Sequence, residues 1–87
     1  MSTEPTYQWL EPKPYKKHTR QLGIKGRNMI VWNLVGEILM NERTPEEVAR
    51  DYHLPLEAVN EALEYYYANK EWIDAEVEEG ARRLGLR

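Results

Sequence analysis

Apolar positions along this chain change period twice, and each change predicts a different element. Tyr7 and Trp9 alternate around Gln8, the pattern of a short strand, and Pro12 ends it. Pro12 and Pro14 keep the next residues extended, because each proline fixes its own φ and restricts the residue before it. Leu22 and Ile24 alternate again, as do Met29 and Val31. Between these runs Gly26 and Arg27 suit a two-residue type II′ hairpin loop, with glycine supplying the positive φ at the first central position.

From Val31 the period lengthens. Val31, Leu34, Val35, Ile38 and Leu39 form the stripe of an amphipathic helix that ends near Asn41. A second helix starts at Thr44, which can cap it, with Pro45 at the first helical position and Glu47 completing a capping box. Val48, Ala49 and Tyr52 make its inner face. Pro55 excludes helix at Leu54 and suits the start of a third helix. There Leu56, Val59, Leu63, Tyr66 and Tyr67 are expected on one face, with Tyr65 left at the rim. Asn69 is expected to end this helix and to cap a last one, whose narrow stripe is Ile73, Val77, Ala81 and Leu84, interrupted by Gly80.

The pattern therefore predicts a mainly α chain in three regions. Residues 1–30 form a short N-terminal strand or hairpin carrying a basic patch. Residues 31–69 form a trihelical helix-turn-helix core of homeodomain-like or winged type. Residues 70–87 form a C-terminal amphipathic helix.

Composition adds limits. A chain of 87 residues buries only about 60–65% of its unfolded surface, and this one has no phenylalanine and 31% charged residues. Its mean hydropathy of -0.79 leans towards a dimer or a bound partner. The absence of cysteine excludes disulfides and thiolate metal sites. No apolar run approaches the roughly 20 residues that span a bilayer, and the N-terminus lacks a signal-peptide pattern, so a cytoplasmic location is expected.

Charge divides the chain. Residues 1–43 hold seven basic and four acidic side chains, a balance of +3, whereas residues 44–87 hold five and eleven, a balance of -6. Lys13, Lys16, Lys17, Arg20, Lys25 and Arg27 occur without an intervening acid, with Tyr15 and His18 among them. They are either a solvated patch or a phosphate-binding arm. The third helix is poorly suited to a major groove: of Glu57, Ala58, Asn60 and Glu61, only Asn60 has favourable base-reading chemistry.

Catalytic constellations are not apparent. His18 and His53 are far apart, the sequence Asp51-Tyr52-His53 is too slight for a metal site, and the only serine is Ser2. Gly23 and Gly26 fit a hairpin better than a phosphate loop. No enzyme, cofactor or metal is expected. The last helix has two readings. Glu78/Arg82 and Glu79/Arg83 stand at i, i+4 and support their own helix. Alternatively Trp72, Ile73, Val77 and Leu84 lie in a partner's groove, and Arg82, Arg83 and Arg87 meet its acids. A terminal helix with few return contacts is a candidate for folding on binding.

Several of these residues carry a resemblance. Ile24, Gly26, Ile30 and Val31, then Thr44-Pro45-Glu46-Glu47, Tyr52 and Leu54, and finally Ala62, Leu63 and Tyr65 resemble the bacterial domain-of-unknown-function family 433 over about residues 24–69. Members commonly have Gly-Thr-Arg after the strand, whereas this chain has Gly26-Arg27-Asn28. The resemblance implies a helix-turn-helix protein of VapB-like antitoxin type, encoded beside a PIN-like ribonuclease. The charge division suits that reading. The basic residues Lys13, Lys16, Lys17, Arg20, Lys25 and Arg27, with Asn60, are expected to contact operator DNA, and the C-terminal helix to contact the toxin. The chain is expected to form a homodimer, since operator readers commonly use two half-sites and Tyr7–Glu11 could pair as an edge strand. By analogy, Arg82, Arg83 or Arg87 would approach the nuclease's metal-binding carboxylates. The alternative is a protein-interaction module that keeps the scaffold without binding DNA, and a small hydrolase is a third possibility.

Overall fold

The computed structural model describes residues 7–16 and 19–83. In chain order it contains β1 (Leu10–Glu11), β2 (Gly23–Ile24), α1 (Val31–Met40), α2 (Pro45–Asp51), α3 (Leu56–Ala68) and α4 (Lys70–Arg83). β1 and β2 pair antiparallel, with Leu10 opposite Ile24 and Glu11 opposite Gly23. The strand lies just after the alternation that predicts it. The reason is tertiary: the backbone N–H groups of Gln8 and Trp9 donate to the Glu61 carboxylate of α3, at 3.0 and 2.6 Å.

The second half of the expected hairpin is present as a narrow ladder. Ile24 N–H donates to Met29 O, Val31 N–H donates to Leu22 O, and Gly23 bridges Ile30. Its turn differs from expectation. Arg27 N–H closes onto Ile24 O, which makes Lys25 and Gly26 the central residues, and Gly26 takes φ 74°. That places the positive φ at the third turn position, as in type II, not at the second as in type II′. Gly23 is also constrained: a Cβ there would lie 2.5 Å from Met29 O and from Lys13 Cγ.

α2 begins as its sequence predicts. Thr44 Oγ1 accepts from Glu47 N–H, Glu47 Oε1 accepts from Thr44 N–H, and Pro45 opens the helix. It ends in a Schellman arrangement in which Leu54 N–H reaches Ala49 O and His53 N–H reaches Arg50 O. His53 occupies the left-handed position at φ 56°. Asn69 joins α3 to α4: its side-chain amide donates to Tyr65 O, and its backbone N–H donates to Tyr66 O.

α3 packs on both α1 and α2. The core contains Val31, Leu34, Val35, Val48, Val59, Tyr66, Leu10 from β1, Ile24 from β2 and Ile73 from α4. All three regions expected from the sequence therefore share one core. α4 runs unbroken through Gly80, and the fully buried Ile73 ties it to that core. Its contacts with the other elements are few, as expected, but Ile73 docks it on the body. Among the described residues no helix is long and apolar enough to cross a membrane.

One helical face is rotated from expectation. On α3 the buried residues are Ala58, Val59, Ala62, Tyr65 and Tyr66, while Leu56 and Tyr67 are exposed and Leu63 is half-buried. Tyr65 is thus inside and Tyr67 outside. Ala58 and Ala62 face inward because their small side chains let neighbouring elements approach closely.

Candidate functional site

Structural duties claim several of the expected DNA-binding cations. Lys13 is only 7% exposed, its stem lies against Gly23, and its ammonium meets Glu11 at 2.8 Å. The Lys13 hydrogen bond holds the Glu11 carboxyl below its ordinary range. Arg27 donates through Nη1 to Tyr52 O at 2.6 Å and through Nη2 to His53 O at 2.8 Å. It thereby satisfies the carbonyls left at the α2–α3 turn. The Arg20 guanidinium lies 5.0 Å from the Trp72 ring centre, within cation–π range. Lys25 and Asn60 are exposed, and the half-buried Lys16 stands over the Tyr15 ring. Lys17 and His18 lie outside the described residues.

The acids of α3 divide by role. Glu61 anchors the N-terminal strand, as described above. Glu57 and Glu64 are exposed, and neither forms an ion pair among the described residues. At 3.6 residues per turn, Leu56, Tyr67, Asn60, Glu64 and Glu57 fall in an arc of about 100° opposite the buried face. Asp51 binds Arg43, whose hydrogen bond holds the Asp51 carboxyl below its ordinary range, and His53 holds the left-handed position just past the α2 C-cap, Tyr52.

The residues expected to meet a partner also separate. Ile73 is fully buried and belongs to the core, so it presents no surface. Trp72 is half-buried: its indole N–H donates to Asn69 Oδ1, and its ring packs edge-on to Tyr65. Val77 and Ala81 line a groove of about 490 Å³ together with Ile30, Trp32, Gly80 and Arg83. Arg82 and Arg83 are exposed, and Arg83 pairs with Glu79 at 3.3 Å. Leu84 and Arg87 lie outside the described residues.

Sequence reasoning missed the polar latch beside this groove. Glu76 of α4 accepts from the Thr19 hydroxyl, from Gln21 Nε2 at 2.9 Å and from Arg20 N–H at 3.1 Å. The buried Gln21 also caps α1, its Oε1 accepting from Trp32 N–H at 3.0 Å. Burial pushes the Glu76 carboxyl up, but the hydrogen bonds from Thr19, Gln21 and Arg20 outweigh it and hold the group below its ordinary range. Nothing local signals a contact between side chains 55 residues apart.

The tyrosine trio resolves similarly. The Tyr65 phenolic oxygen accepts from Leu22 N–H, and the ring packs edge-on against Tyr7, while Tyr66 O–H donates to Asp74. Burial raises the pKa of both phenols. These are packing roles, with Tyr67 alone of the three turned outward.

The class these features define is a small, mainly helical protein whose unclaimed chemistry lies on outer helical faces. The chain belongs to the DUF433 family, described as a protein of unknown function, whose model matches residues 17–66. No curated protein and no solved structure matches it.

Proposed function

We propose that the chain is an antitoxin-like protein-interaction module on a helix-turn-helix scaffold that neutralises a PIN-like ribonuclease through α4. The observation that carries this reading is the groove between α4 and the start of α1. Its floor is apolar, from Trp32, Ile30, Val77 and Ala81, and Gly80 leaves it open: a Cβ there would meet nothing within 4 Å. Arg83 stands at its rim beside Glu79, with which it pairs, and Arg82 precedes it on α4; an exposed pair of this kind can exchange for a partner's carboxylate. The seated partner is a helical segment of the nuclease with apolar and acidic side chains. Ile73 lies in the core, so deleting α4 would unfold the body as well as remove the site. The test therefore uses Ala81→Glu and the pair Arg82→Ala/Arg83→Ala, co-expressed with a PIN-like ribonuclease encoded beside the chain. Loss of neutralisation with an unchanged melting temperature supports the reading, and undiminished neutralisation refutes it.

A second reading adds autorepression by a homodimer bound to operator DNA. It is favoured by the tight turn between α2 and α3 and by the exposure of Asn60 and Lys25. Against it stand the engaged side chains of Lys13, Arg20 and Arg27. An electrophoretic shift with upstream DNA, repeated across salt, separates the readings. Each phosphate contact contributes a slope of about -0.9 in log K against log salt.

A further inference from the structure

Resting on the partner-binding reading above, we infer that the outer face of α3 is a second docking surface. Its occupant is a protein surface that presents lysine or arginine around an apolar hollow. Leu56 and Tyr67 mark the two ends of this face, about 16 Å apart along the helix at 1.5 Å per residue. They are 36% and 58% exposed, and they share one arc with Asn60, Glu57 and Glu64.

Isolated exposed apolar side chains are ordinary. Here two large ones align on a single face, and the carboxylates between them lack cationic partners among the described residues, whereas Glu37, Asp51 and Asp74 have theirs. Lys70 binds Asp74 and Arg43 binds Asp51 and Glu37, while Glu57 and Glu64 form no such pair among the described residues. An anionic face with apolar ends complements a cationic amphipathic surface and repels a phosphate backbone. Tyr67 is the natural anchor, because its ring offers large contact area at low conformational cost and leaves its hydroxyl at the rim.

The test titrates the full chain calorimetrically with an amphipathic leucine–lysine peptide of about 18 residues, long enough when helical to cover the face. A peptide of equal charge with serine replacing leucine and a duplex DNA are run beside it. The leucine–lysine peptide is expected to bind, and the serine peptide to bind at least about tenfold more weakly. Tyr67→Ser should weaken binding about tenfold. Glu57→Gln/Glu64→Gln should weaken it by roughly two- to fivefold per carboxylate and flatten its salt dependence. All three positions are exposed, and circular dichroism checks that each variant folds. Variants that bind the peptide like the wild type overturn the inference, as does DNA binding that Asn60→Ala weakens. The groove beside α4 is probed by different substitutions, so failure on α3 leaves that reading standing.

Discussion

Replacing Glu76 with glutamine tests the latch that docks α4. The carboxylate receives three hydrogen bonds, from Thr19 Oγ1, Gln21 Nε2 and Arg20 N–H. Glutamine keeps one acceptor oxygen and turns an NH2 towards donors, so at least one of these bonds is lost. A hydrogen bond to a charged group is worth about 1.5–3 kcal/mol, and partial re-pairing lowers the net loss to about 1–3 kcal/mol. For a chain of this length that lowers the melting temperature by about 5–15 °C. The pH dependence makes the test specific. The folded-state pKa of Glu76 lies below its ordinary value near 4.5, so ionisation favours the folded state. That contribution is fully present above the unfolded pKa and is lost as pH falls through the folded pKa. Urea unfolding of wild type and variant at pH 7 should therefore differ by the full amount, and the difference should shrink steadily below about pH 4.5. Glu11, Asp51 and Asp74 also have lowered pKa values, but they contribute equally to both proteins. A difference that is absent at pH 7, or constant down to pH 2, would falsify the latch.

Other substitutions probe other parts of the fold. Arg27→Ala should cost about 1–3 kcal/mol in chemical denaturation by stranding the Tyr52 and His53 carbonyls, whereas Lys25→Ala should be nearly neutral. Equal effects would show that Arg27 is not a turn clamp. His53→Gly should raise stability by up to about 1 kcal/mol, because glycine adopts the left-handed position without strain; a lower melting temperature would refute this. Gly23→Ala should destabilise by more than about 1 kcal/mol, since the clash includes the Met29 backbone oxygen, and a thermal melt unchanged from wild type would count against the ladder described.

Local chemistry made much of this fold legible. Thr44, Pro45 and Glu47 specify the start of α2 through groups at most three residues apart, so no distant partner is needed to read them. The α1 stripe at Val31, Leu34 and Val35 and the boundaries at Pro55 and Asn69 are legible for the same reason, although Leu39, expected on that stripe, is exposed at the end of α1. α3 was harder. Its sequence permits two apolar faces, and alanine is compatible with either side of a helix. The packing of α1 and α2 selected the face with Ala58, Ala62 and Tyr65.

The candidate surfaces were less legible than the helices. A basic run announces charge, but not which cations will be consumed internally. Lys13 was taken by Glu11 and Gly23, Arg20 by Trp72, and Arg27 by a turn about 25 residues away. Ile73 fell on the stripe offered to a partner, yet it fills the chain's own core.

By itself, then, the sequence determined the helices, their caps and the division of charge, because those depend on residues within one or two turns of one another. Tertiary structure alone decided which charges stayed available. Glu61 went to the N-terminal strand and Glu76 to the 19–21 segment, whereas Glu57 and Glu64 kept no cationic partner among the described residues. Hydrogen bonds and ion pairs form across distances in space that are unrelated to spacing along the chain, and such contacts sorted otherwise similar glutamates into anchors and surface.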